Sequence, residues 1–100
     1  MKIVTPESLK HALEENIPQL AYVLPTDVAQ ALEQARQRET NRYAAQALDL
    51  LLENANVAAT DSVPLCQDTG TTWVCLEVGP DIVVPGNVFS QVNEGVARAY

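Results

Sequence analysis

Leu9, Leu13, Ile17, Leu20 and Leu24 recur three or four residues apart, and this recurrence constrains the fold more than any other feature of the chain. Apolar side chains so spaced share one face of an α-helix. The start is marked too: Thr5 can cap the helix, Pro6 suits its first position and Glu7 its first turn. Pro18 predicts a kink or split near Asn16, because proline removes a backbone donor and its ring crowds the preceding turn. Pro25 ends the segment.

Thr26 or Asp27 caps a second helix, with Val28, Ala31, Leu32 and Ala35 as its apolar stripe. A break or bend is expected at residues 39–41. A third helix follows to about Asn54, with Tyr43, Ala44, Ala47, Leu48 and Leu51 facing inward. Asn54-Ala55-Asn56 reads as its end, and residues 57–65 as irregular, with Asp61, Ser62 and Pro64 as turn formers.

Residues 71–78 form the best strand pattern, rich in β-branched side chains and carrying Trp73. Val74, Leu76 and Val78 fall on one face, and Trp73, Cys75 and Glu77 on the other. Gly79-Pro80-Asp81 turns the chain into a second strand, Ile82-Val83-Val84, antiparallel to the first. After Pro85-Gly86, residues 88–100 read as a helix with Val88, Val92, Val96 and Ala99 or Tyr100 in line. This helix meets the end of the sequence without a stop signal, which suggests a portion of a larger domain. The expected class is α+β: helices over 5–56, a motif and small antiparallel β unit over 63–85, and a helix over 88–100. The early stripes should bury the face bearing Val74, Leu76 and Val78.

One hundred residues make one small domain at most, and 47% hydrophobic residues supply a core. With only Tyr22, Tyr43, Trp73, Phe89 and Tyr100 as aromatics, that core must be aliphatic. The net charge is -7, and the cations are Lys2, Lys10, Arg36, Arg38, Arg42 and Arg98. That balance argues against a nucleic-acid partner, which needs a basic face. No apolar run approaches a membrane span and no signal peptide is visible, so a cytoplasmic location without membrane contact is expected.

Between the helical half and the strand pattern stands Cys66-Gln67-Asp68-Thr69-Gly70, preceded by Pro64-Leu65. Thiol, amide, carboxylate and hydroxyl in one turn make poor core filler and a plausible site. Gly70 permits backbone angles that other residues avoid. Cys66 reads two ways, as a buried structural thiol or as an accessible functional one. Cys75, at an alternating strand position, reads as core. Asp68 reads as a turn residue, or as a proton carrier or acceptor for a substrate hydroxyl. Asp-Thr-Gly also occurs in aspartic proteases, but Cys66-Gln67 replaces the apolar strand such a site needs and the first half is helical. His11 reads as solvent-facing, with no second His or Cys nearby to hold a metal. Within Asn93-Glu94-Gly95, the glycine reads as a point of close helix packing.

Residues 64–70, the β-rich run to Glu77-Val78-Gly79, and then Val92-Asn93-Glu94-Gly95-Val96 with Tyr100 together resemble class I, iron–sulfur-dependent fumarate hydratases and the related L-tartrate dehydratases. Upstream, Leu24-Pro25, Asp27-Val28, Ala35, Glu39, Leu51-Leu52 and Asn54 fit as well, so the likeness covers nearly the whole chain. It is to the amino-terminal part of the alpha subunit or of the equivalent single chain.

The resemblance implies that Cys66 ligates a 4Fe–4S cluster, that Gln67 and Asp68 contact a small dicarboxylate, and that Asp68 takes part in catalysis. It assigns no role to Thr69, Asn93 or Glu94. The implied reaction is the reversible hydration of fumarate to malate, with tartrate or another hydroxy-dicarboxylate as the alternative substrate. A non-catalytic helical assembly module is the alternative of another class. An open-iron cluster needs three cysteines, and Cys66 is the one good candidate here, so two further cysteines and the cations for the dicarboxylate are expected elsewhere. The implied partners are the rest of the alpha subunit and a beta subunit or carboxy-terminal domain, in a homo- or hetero-oligomer. The isolated chain is expected to be inactive.

Overall fold

The computed structural model describes all residues from Met1 to Tyr100. The elements in order are β1 (Lys2–Ile3), α1 (Pro6–Tyr22), α2 (Thr26–Arg38), α3 (Arg42–Asp61), a 3-10 turn (Gln67–Gly70), β2 (Ile82–Val83) and α4 (Val88–Ala99). Two compact units share them. One holds residues 1–19 and 70–100, the other residues 20–69, so α1 contributes to both. No helix is long and apolar enough to cross a membrane.

In the first unit, Thr5 caps α1 as expected: its hydroxyl accepts from the Ser8 amide at 3.2 Å. The helix then runs through Pro18 without the predicted split. Pro18 stands between Ile17 and Ala21, which are 3% and 4% exposed. The buried stripe continues from Ile17 to Ala21, while Leu20 points to solvent.

α4 packs on α1 through Gly95, which is buried. A Cβ at this position would lie 3.0 Å from the Lys10 carbonyl oxygen and 3.2 Å from its Cα, so the glycine is where two backbones approach, as its sequence context suggested. Around it, Glu94 pairs with Lys10 at 3.5 Å and with Arg98 at 2.8 Å. Asn87 caps α4 by accepting from the Ser90 amide at 3.2 Å, and Gly86 takes φ +82 in the preceding turn. Val88, Val92, Val96 and Ala99 line up half-buried.

The β unit differs from expectation. β2 pairs in parallel with β1, Lys2 opposite Ile82 and Ile3 opposite Val83, and not antiparallel with residues 71–78. The ladder is short, with the Lys2 amide donating to the Asp81 carbonyl at 2.8 Å and the Val4 amide to Val83 at 3.0 Å. Residues 71–78 form no strand. Strand propensity measures fit to a pleated surface beside a neighbouring strand, and no strand pairs with this segment. Trp73 is 93% exposed, and Val74, Leu76 and Val78 are exposed rather than buried under the helices. Cys75, expected in the core, is exposed for the same reason. The Thr72 hydroxyl meets the Tyr100 hydroxyl at 2.8 Å and ties the start of this segment to the end of α4.

In the second unit, α2 and α3 pack together across the short connection expected at 39–41. Neither Thr26 nor Asp27 caps α2. Pro25 occupies that position without a side-chain bond, and Asp27 accepts from Val28 inside the first turn. Asn41 caps α3 by accepting from the Tyr43 amide at 2.9 Å and the Ala44 amide at 3.2 Å. Arg36 of α2 donates to Asp49 of α3 at 2.6 Å, and this partner raises the guanidinium pKa.

α3 does not stop at Asn54-Ala55-Asn56 but continues to Asp61, ending where Ser62 turns left-handed at φ 54. Its inner face is also displaced from the predicted one. Ala44, Leu48, Leu52, Ala55 and Ala58 are half-buried or buried, whereas Tyr43, Ala47 and Leu51 are exposed. The buried residues Ile17, Ala21 and Ala58 are aliphatic, as the aromatic count required.

Candidate functional site

The Cys66 turn is held by backbone geometry set up before it. After the left-handed Ser62, the Val63 amide donates to the Ala58 carbonyl at 3.1 Å, closing α3. The next residue but one, Leu65, is then fixed at both backbone groups. Its amide donates to the Ala21 carbonyl at 3.0 Å, and its carbonyl accepts from Asn54 Nδ2 at 2.8 Å. Asparagine is a poor helix-interior residue because its side chain competes for backbone groups. Here that competition is used, since Asn54 reaches off α3 and secures the residue before Cys66.

Thr69 closes the turn on the other side. The Cys66 amide donates to Thr69 Oγ1 at 3.1 Å, and the Thr69 amide donates to the Cys66 carbonyl at 3.2 Å. Thr69 Oγ1 also lies 3.6 Å from Cys66 Sγ. Residues 66 and 69 are therefore joined by backbone and side chain together, and Gln67 and Asp68 form the arch between them. Gly70 does not adopt a positive φ, so the freedom expected of it is not what shapes the turn.

The accessible reading of Cys66 is the one the geometry supports. The thiol is exposed and in no disulfide. Gln67 and Asp68 are exposed too, and neither side chain makes a hydrogen bond or ion pair. Three exposed groups thus stand consecutively on one hydrogen-bonded turn: a soft thiol in contact with Thr69 Oγ1, a carboxamide that can donate and accept, and an acceptor carboxylate. No three His, Cys, Asp or Glu side chains converge anywhere in the chain to hold a metal. A thiolate at Cys66 is of the donor type that an iron–sulfur cluster takes, and one such donor does not by itself make a cluster site. No cation pairs with Asp68; the ion pairs formed by arginine and lysine lie on the helices.

His11 is solvent-facing, 3.1 Å from Glu15 one turn along α1, with no role at the turn. An open depression on α3, lined by Leu50, Leu51, Glu53, Asn54 and Val57, contains none of the motif residues. Sequence reasoning missed Asn54 at the site, and it missed that Thr69 clamps the turn. The available signal was an asparagine inside a leucine-rich helical run.

The fumarate hydratase (Fumerase) family model matches residues 10–100. The chain belongs to the fumarate hydratase family. Among its relatives is a protein of Methanocaldococcus jannaschii, provisionally described as an L(+)-tartrate dehydratase subunit alpha, 37% identical over 81 residues. That alignment covers 79% of this chain and 28% of the relative. A second relative is the mitochondrial fumarate hydratase 1 of Leishmania major, 41% identical over 46 residues, covering 46% of this chain and 8% of the relative. The matched part of the chain therefore spans 28% of the first protein and 8% of the second. No solved structure matches the chain.

Proposed function

We propose that this chain is part of an iron–sulfur hydro-lyase that interconverts fumarate and malate. Cys66 would hold one corner of a 4Fe–4S cluster, and Gln67 and Asp68 would contact the dicarboxylate. The observation that carries this is the hydrogen-bonded Cys66 turn, with the exposed side chains of Cys66, Gln67 and Asp68 in sequence, in a chain of the fumarate hydratase family.

When bound, the cluster supplies a Lewis acid that makes the substrate hydroxyl a better leaving group. The work of this chain's own residues follows from their chemistry. The clamp of Leu65 and Thr69 fixes where Cys66 presents its sulfur. The Gln67 carboxamide can donate to a substrate carboxylate and accept from a hydroxyl in the same pose. The Asp68 carboxylate, with no competing partner, can orient the hydroxyl or the attacking water and accept or return a proton. Two further thiolates and the cations that neutralise a dicarboxylate come from outside this chain. The rest of the alpha subunit and a beta subunit or carboxy-terminal domain are the proposed sources.

One observation favours a second substrate. The longer of the two alignments is to the protein described as a tartrate dehydratase subunit, so a hydroxylated dicarboxylate such as L-tartrate is the alternative. Turnover of malate and of L-tartrate by the complete, anaerobically reconstituted enzyme separates the two. Preference for malate upholds the first reading, preference for tartrate replaces it with the second, and turnover of neither rejects the hydro-lyase reading in favour of a non-catalytic assembly module.

A further inference from the structure

We propose that Thr69 tunes Cys66 as a ligand by donating its hydroxyl hydrogen to the sulfur. The inference rests on the reading of Cys66 as a cluster ligand and adds a role for a residue to which the family resemblance assigned none.

A threonine hydroxyl has one hydrogen to give and lone pairs with which to accept. The Cys66 amide donates to Thr69 Oγ1 at 3.1 Å, which occupies an acceptor site of the hydroxyl and not its hydrogen. Cys66 Sγ lies 3.6 Å from the same oxygen, within hydrogen-bond reach for sulfur. A thiolate has no hydrogen of its own, so once Cys66 is deprotonated to bind iron the hydroxyl must be the donor in this pair. The Thr69 amide bond to the Cys66 carbonyl, at 3.2 Å, holds the two residues in register, so the contact is built into the turn and is not a chance rotamer.

Hydrogen bonds to cluster sulfurs are among the factors that set an iron–sulfur potential, because they stabilise the more negative, reduced state. Thr69 is accordingly a positioning residue: it acts on the cluster only through Cys66.

The test uses the complete enzyme, reconstituted anaerobically, as wild type and as Thr69→Val, Thr69→Ser and Cys66→Ala. Cluster content, reduction potential and the iron–thiolate stretching frequencies are measured on each. Thr69→Val, nearly isosteric, is expected to shift the potential to more negative values and raise a stretching frequency, and Thr69→Ser to restore both. Unchanged potential and frequencies in Thr69→Val at full cluster content overturn the proposal. So does a loss of cluster in Thr69→Val that Thr69→Ser does not rescue, since that pattern marks a purely structural residue. Cys66→Ala reports separately on the underlying reading: if it keeps a full cluster, Cys66 is not a ligand, whatever the threonine variants show.

Discussion

Gly95 of α4 meets Lys10 of α1 backbone to backbone, so close that an added methyl group would lie 3.0 Å from the Lys10 carbonyl oxygen and force the helices to give. The nearest atoms are the carbonyl oxygen and Cα of Lys10, neither of which can swing aside as a flexible side chain would. Gly95→Ala is therefore expected to destabilise the protein by about 1–3 kcal/mol through overpacking, despite alanine's better helix propensity. Urea unfolding measures the change; a stabilised variant would mean that the helices do not cross here.

Asn54 is expected to matter more than an exposed helix residue should. Asn54→Asp keeps the shape but cannot donate to the Leu65 carbonyl, which it now meets at 2.8 Å. A loss of about 1 kcal/mol is expected from the missing bond. Because Leu65 directly precedes Cys66, the same variant should also lower cluster occupancy in the complete enzyme, measured as iron and sulfide per chain. Unchanged occupancy would show that the clamp is not needed to present the thiol.

Asn41 accepts from two amides at the start of α3, so Asn41→Ala should cost about 1 kcal/mol and Asn41→Gly only a few tenths. Thermal or chemical unfolding of the pair checks this ordering. Equal losses would point to packing rather than capping.

The chain of 100 residues holds Cys66 and Cys75 as its cysteines, and no three potential metal ligands converge. Iron–sulfur reconstitution of this chain alone is accordingly expected to give no stable cluster and no malate-to-fumarate turnover, as read by visible absorbance and product formation. A stoichiometric cluster with turnover would contradict the incomplete ligand set.

The parts of the fold legible in the sequence were those decided by neighbours a few residues apart. Thr5 and Pro6 marked the start of α1, the break at 39–41 separated α2 from α3, and Gly95 announced close packing. The failures share a cause: each depended on something distant. Residues 71–78 have strand-like side chains but no strand beside them. β2 instead found Lys2–Ile3, far away in sequence and too short to leave a pattern. Asn54 looked like a helix stop because asparagine favours helix ends, whereas its amide is engaged by Leu65 and α3 runs on. At the site, the Cys66 turn was visible from its composition. The clamps that hold it, Asn54 and Thr69, were not, because they are defined by hydrogen bonds that the spacing of residues does not reveal.

The central claim is that Cys66 is a cluster ligand of a hydro-lyase, and Cys66→Ala in the complete enzyme tests it most directly. Iron and sulfide content, visible absorbance and malate-to-fumarate turnover are compared with wild type after anaerobic reconstitution. The variant is expected to lose the intact cluster and its turnover while keeping its fold, by circular dichroism. A variant with full cluster content and wild-type turnover would contradict the account.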